Sequence, residues 1–149
     1  MIKDQQLFQA KGFPYSLKDL LLTESLVKTW QNGCFLTIRI TSSMYHRFHA
    51  PEDGRLQRVR YISGDTWNVN PIALKRVESL FCKNERAILE LSIGPKSTPI
   101  IMIPVAAILV AGIRIHGINA TLNCKSPNGL TLESDRCFNR GDEMGWFEH

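Results

Sequence analysis

The sequence has no Cys-x-x-Cys pair, no unbroken apolar run of bilayer-spanning length, no dense block of one charge and no secretory start. Each absence removes a class of protein. The four cysteines, Cys34, Cys82, Cys124 and Cys137, are scattered, so neither a zinc knuckle nor a dithiol redox motif is spelled out. Their even number permits disulfides, but a chain of 149 residues is large enough to fold without them. The first residues also lack the basic, apolar, small-residue order of a signal peptide, so reduced thiols are expected. The most apolar stretch, Ile100 to Ile113, is interrupted by Pro104 and falls short of the about 20 residues that a spanning helix needs. Two buried strands explain it better, and any membrane association is expected to be peripheral or to come from sequence outside this chain. Eighteen lysines and arginines against 14 acidic residues leave a net charge of +4. That surplus is too small and too dispersed to support nucleic-acid binding, while an anionic membrane surface or a phosphate-bearing ligand stays compatible with it.

What is present is the composition of a folded domain, 44% hydrophobic and 21% charged. A chain this long buries about 70% of its unfolded surface, and a single domain over residues 1–149 is expected, with no repeat, low-complexity segment or linker. Gln6 to Lys11 reads as a short strand stopped by Gly12 and Pro14. Ser16 is placed to cap a helix carrying the Leu17, Leu20, Leu21 and Leu22 stripe, with Asp19 in the capping-box position. A second short helix is expected to reach Trp30 before Asn32-Gly33. Cys34 to Thr41 has the β-branched and aromatic content of a strand, and Leu56 to Ile62 reads as a half-buried strand with period-two alternation. Pro71 to Phe81 is weakly helical. Arg86 to Ile93, Ile100 to Ile103, Val105 to Ile115 and Leu130 to Glu133 complete the expected strands, with a turn over Ser126 to Gly129. The fold class is mainly β (α+β), a compact β-barrel or sandwich-like domain with one or two short helices.

Potential proton-transfer chemistry concentrates in Tyr45-His46-Arg47-Phe48-His49-Ala50-Pro51. An imidazole titrates near pH 6.5, about where a group can serve as acid, base or phosphate partner. Three-residue spacing brings His46 and His49 to one face in a helix or tight turn, and to opposite faces in a flat strand. Ala50 precedes Pro51 and is pushed toward extended backbone, which favours a turn at the end of a strand. Spacing alone leaves a purely structural pair open. A metal site is not expected, because no carboxylate or cysteine stands at a recognisable ligand spacing from the two rings.

These residues resemble the phosphatidylserine decarboxylase family, and the resemblance runs along nearly the whole chain. Its pieces occur in order: Gln9-Ala10-Lys11-Gly12 with Tyr15-Ser16-Leu17, then Tyr45 to Pro51, then Gly64-Asp65 through Val69-Asn70. Phe81, Asn84-Glu85-Arg86 and Arg140-Gly141-Asp142-Glu143-Met144-Gly145-Trp146-Phe147 follow. The resemblance implies a proenzyme that cuts itself at a Gly-Ser bond and turns the new terminal serine into a pyruvoyl group. It further implies that this group forms a Schiff base with phosphatidylserine, releases carbon dioxide and yields phosphatidylethanolamine. By the same resemblance His49 is the base for self-cleavage, oriented by an aspartate in a triad-like arrangement, and His46 contacts the headgroup and transfers a proton. Tyr45 and Phe48 are candidates for lining a substrate pocket, although aromatics beside a buried strand are often core. Trp146 and Phe147 carry the same ambiguity, and Arg140-Gly141-Asp142 is expected to be a turn flanking the sheet.

Two parts of the family pattern have no counterpart in the sequence. The Gly-Ser-Thr processing site follows a segment equivalent to Trp146 to His149, so the pyruvoyl cofactor would form from a serine beyond His149. The orienting aspartate belongs upstream of Gln9, and Asp53-Gly54 does not match its position. The chain alone is therefore expected to be inactive, a β-chain region that meets a pyruvoyl-bearing α chain, phosphatidylserine and a membrane surface, with homo-oligomerisation left open. The bacterial or the mitochondrial inner membrane is the expected location. The alternative is a noncatalytic phospholipid-binding or assembly module with the same fold.

Overall fold

The computed structural model describes residues 2, 4–8, 13–40, 43, 45–118 and 129–148. They group into two compact units, Met1–Arg39 with Trp67–Asn84, and Ile40–Thr66 with Glu85–His149.

In the first unit, β1 (Gln6–Phe8) pairs antiparallel with β2 (Pro14–Ser16). The chain then enters α1 (Leu17–Leu21), whose cap is the expected one: Ser16 Oγ accepts the Asp19 amide at 2.9 Å. Leu17, Leu20 and Leu21 are buried, and Leu22 ends the helix in the left-handed region. α2 (Glu24–Trp30) follows and buries Leu26 and Val27. The weakly helical stretch after Pro71 divides into α3 (Pro71–Arg76) and α4 (Leu80–Lys83), because Val77 is extended and Ser79 left-handed between them. Asn70 caps α3 through the Ala73 amide at 2.8 Å. The short helices thus number four among the described residues.

The second unit holds most of the β structure. A four-stranded antiparallel sheet runs in the order β6 (Thr98–Met102), β5 (Arg86–Ile93), β4 (Gly54–Ile62), β8 (Leu130–Phe138). A three-stranded antiparallel sheet runs β3 (Arg47–His49), β9 (Glu143–Phe147), β7 (Ile113–Ile115). Both contribute to one hydrophobic cluster: Leu56, Val59, Tyr61, Leu89 and Leu91 from the larger sheet, Ile113, Ile115 and Met144 from the smaller. This is the layered, sandwich-like arrangement expected from the strand content; the described strands close no barrel.

Strand β4 departs from simple alternation. Its register shifts between Leu56 and Arg58, so Leu56 and Val59, an odd number of residues apart, are both fully buried. Three other expectations are corrected. Cys34 to Ile40 is assigned to no strand apart from an isolated bridge between Ile2 and Gly33 just before it, and Thr41 lies outside the described residues. The stretch Val105 to Ile115 is strand only at β7, with Val105 making a single bridge to Arg86; Ala107, Ile108, Leu109 and Val110 form a turn closed by the Val110 amide on the Ala107 carbonyl at 3.0 Å. The histidine segment is strand β3, not a turn. The expected turn over Ser126 to Gly129 lies mostly outside the described residues.

Gly145 is where β3, β9 and β7 come closest. A Cβ there would run into the Arg114 carbonyl oxygen and lie 2.5 Å from Phe48 Cζ, so no larger residue fits without parting the strands. Gly145→Ala is expected to destabilise the protein by about 1–3 kcal/mol, the usual range for overpacking, in urea unfolding followed by circular dichroism. An unchanged midpoint would show that the three strands are not packed this closely.

Candidate functional site

The site rests on how β3 meets β9. Arg47 pairs with Trp146 and Phe48 with Gly145, but His49 pairs with Glu143, leaving Met144 as an extra residue on β9. The ladder continues past the strand ends: the Phe147 amide donates to the His46 carbonyl at 2.9 Å, and the Ala50 amide to the Asp142 carbonyl at 2.9 Å. Alternation along β3 then sorts the side chains. His46 and Phe48 both pack edge-on against Phe147, with ring centroids 6.5 and 5.8 Å apart. On the opposite face stand Tyr45, Arg47 and His49, along with Trp146 and Glu143. The bulge at Met144 is what lets Glu143 and Trp146, three residues apart, share that face.

The two histidines, His49 in β3 and His46 just before it, are therefore held along one stretch of chain but not against each other. His46 is buried and lines an open cavity of about 580 Å³ together with Arg47, Trp146, Phe147 and Glu148. His49 is half-buried, stacked on Tyr45 at 5.6 Å with 23° between the ring planes, and its Nε2 lies 3.2 Å from the Tyr45 hydroxyl. If Nε2–H donates to the tyrosine oxygen, the lone pair is on Nδ1; if the tyrosine donates, Nδ1 carries the proton. Which nitrogen of His49 is basic therefore follows from the direction of the Tyr45 contact. Phe48 packs against the hydrophobic cluster, the core position left open by the sequence, while Tyr45 is exposed.

A third histidine, unremarked in the sequence, completes the open face. His116 follows β7, and its Nε2 lies 2.7 Å from Glu143 Oε1, which also accepts from Arg47 Nη1 at 2.6 Å. A carboxylate only accepts, so the His116 proton sits on Nε2. Trp146 lies between these groups, 5.0 Å from the His116 ring and 5.8 Å from the Arg47 guanidinium carbon. The hydrogen bond from His116, reinforced by Arg47, holds the Glu143 carboxyl below its usual pKa. The signal for His116 was available in Ile113-Arg114-Ile115-His116, whose alternation places Arg114 and His116 on one strand face. Arg114 is used there too, donating from Nε to Glu148 at 2.9 Å. Among the described residues, no group of three or more histidine, cysteine or acidic side chains is arranged to hold a metal ion.

The phosphatidylserine decarboxylase family pattern matches residues 1–149. The chain belongs to the phosphatidylserine decarboxylase family. It is 41% identical over 159 residues to the phosphatidylserine decarboxylase proenzyme of Idiomarina loihiensis, covering 99% of this chain and 52% of that protein. The proenzymes of Francisella tularensis subsp. novicida and Methylibium petroleiphilum are 39% and 34% identical, with 98% of this chain and 52% of each relative covered. The chain spans about half the length of the curated relatives it matches.

Several motif residues of this phosphatidylserine decarboxylase family member serve the scaffold. Asn84 exchanges two hydrogen bonds with the Trp67 backbone, at 2.9 and 2.8 Å. Glu85 is buried, and burial pushes its carboxyl up, opposed by the Tyr61 hydroxyl and the amides of Gly112 and Ile113; it thereby anchors the start of β7. Arg140-Gly141-Asp142 is the turn between β8 and β9, with Gly141 at φ +86° and the Asp142 carboxylate accepting the Asn139 amide at 2.8 Å. Asp53 accepts the Arg140 amide at 2.7 Å, a turn-fastening role. No helix among the described residues is long and apolar enough to cross a membrane.

The Glu143 shift has a pH signature. A carboxyl whose folded pKa lies below its unfolded value of about 4.3 adds stability that is complete above that value and is lost as pH falls through the folded pKa. Glu143→Gln should flatten the corresponding part of the thermal-midpoint profile between about pH 5 and pH 3. Parallel profiles for the two proteins would contradict the Arg47–Glu143–His116 cluster.

Proposed function

We propose that this chain is the histidine-bearing part of a phosphatidylserine decarboxylase, made as a self-cleaving proenzyme and acting at a membrane surface. The observation that carries the reading is the family match across all 149 residues, including the segment that contains His46 and His49. His49 is the base of self-cleavage: its ring is held by Tyr45, and when Nε2–H donates to the tyrosine oxygen the Nδ1 lone pair is available to take a hydroxyl proton. His46 serves the mature reaction. Seated against Phe147 at the cavity wall, it can contact a headgroup and pass a proton while the aromatic rings shield the position from water.

The family's pyruvoyl group supplies the electron sink for loss of carbon dioxide. Such a group needs a neighbouring proton carrier and cationic support for an anionic substrate. The cavity lining offers both, in His46 and Arg47, so the residues present fit it. Arg47 keeps guanidinium donors beyond the one given to Glu143, and these suit the phosphate or carboxylate of a phosphatidylserine headgroup. The α chain that completes the site, the phospholipid substrate and the peripheral membrane location, bacterial or mitochondrial, belong to the same proposal.

Substituting residues 1–149 for the matching region of the Idiomarina loihiensis proenzyme tests it. The chimera should cleave itself and release phosphatidylethanolamine from phosphatidylserine. With His49→Ala it should remain uncut, and with His46→Ala it should be cut but decarboxylate at least about 100-fold more slowly, the scale of a lost acid–base group. Normal cleavage of the His49→Ala chimera would remove His49 from its role, and a chimera that neither cleaves nor decarboxylates would favour the noncatalytic module.

A further inference from the structure

The first unit carries a segment with the composition of a strand that joins no sheet among the described residues. Cys34 to Arg39 is rich in β-formers. None of its backbone groups is paired with another described residue, and the segment is assigned to no strand. Thr37, although exposed, shares a hydrogen bond with the Tyr15 hydroxyl, which ties the segment to β2. The neighbours of Thr37 on either side are the two most exposed large hydrophobic residues described: Leu36 at 82% and Ile38 at 78%. Amides and carbonyls unpaired among the described residues, beside two bare aliphatic side chains, form a template for an added strand. Phe35 is half-buried and, with the Thr37 contact, holds the segment against the unit while Leu36 and Ile38 stay uncovered.

The relatives say what could cover it. They carry about as much chain again as they share with these residues, since the match covers 52% of their length. We infer that Cys34–Arg39 is a docking strand that pairs, β-strand to β-strand, with chain from the part of the full-length protein outside these 149 residues, burying Leu36 and Ile38. The identity of that partner rests on the proposed proenzyme reading. The pairing itself would complete a sheet within the assembled enzyme and so couple this unit to the half that carries the processing site.

Amide hydrogen exchange on the 149-residue chain and on the chimera described above tests the inference. Residues 34–39 should exchange at near-unstructured rates in the chain alone and at least about 100-fold more slowly in the chimera. Leu36→Lys with Ile38→Lys should restore fast exchange in the chimera while leaving the thermal midpoint of the 149-residue chain unchanged, because both side chains are exposed there. Equal exchange in the two proteins would overturn the inference. So would protection already present in the chain alone with sedimentation as a dimer, which would give the face to a second copy, or protection that appears only with anionic phospholipid vesicles, which would give it to the membrane. The two proposals fail separately: protection at 34–39 in an uncut, inactive chimera keeps the docking strand and removes the enzyme, whereas cleavage and decarboxylation with 34–39 unprotected removes the docking strand alone.

Discussion

The His46 carbonyl accepting the Phe147 amide, and the three-residue ladder that follows it, hold together everything that looks chemical in this molecule. The residues joined this way are about a hundred positions apart in the chain. Pairing them brings the histidine segment against Glu143 to Phe147, and the neighbouring β7 adds Arg114 and His116. Side chains that would otherwise be scattered become two organised faces of one small sheet. Because a strand alternates, the same ladder that brings His46 and His49 into the sheet also separates them. One ring is committed to the aromatic side with Phe147, the other to the polar side with Tyr45.

That separation agrees with a protein whose histidines do different work at different times. In the proposed reading, self-cleavage asks for a base with a free nitrogen, which His49 has when its Nε2–H donates to Tyr45. In the same reading, turnover on a phospholipid asks for a shielded proton carrier beside a cation, a part the cavity-lining His46 and Arg47 would fill. The Met144 bulge matters to both, since by turning Glu143 onto the polar face it ties Arg47 and His116 into one cluster and keeps the guanidinium in place. Glu85 supports the arrangement from behind by fastening the beginning of β7 through the Gly112 and Ile113 amides.

Much of this was legible in the residues. The Ser16 cap, both early helices, β5 with its bounds, and the turn at Arg140 to Asp142 followed from local rules of capping, alternation and glycine placement. The family was legible because its motifs are short, ordered and chemically specific. What escaped were features fixed by partners distant in sequence. Alternation alone cannot locate a bulge, so the inward placement of both Leu56 and Val59 was hidden, as was the joint facing of Glu143 and Trp146. His116 continues the alternation of Ile113-Arg114-Ile115 but acquires significance only when β7 lies beside β9. Cys34 to Arg39 failed in the opposite sense: its propensity for strand is plain, yet propensity supplies no second backbone to pair with.

The placement of the two imidazoles on opposite faces is the central point, and proton NMR with assigned ring resonances addresses it directly. Nuclear Overhauser contacts are expected from the His46 ring to Phe147 and from the His49 ring to Tyr45, with none between the two imidazoles. A direct contact between the His46 and His49 rings, with loss of the Phe147 and Tyr45 contacts, would contradict the strand arrangement and return the segment to a tight turn.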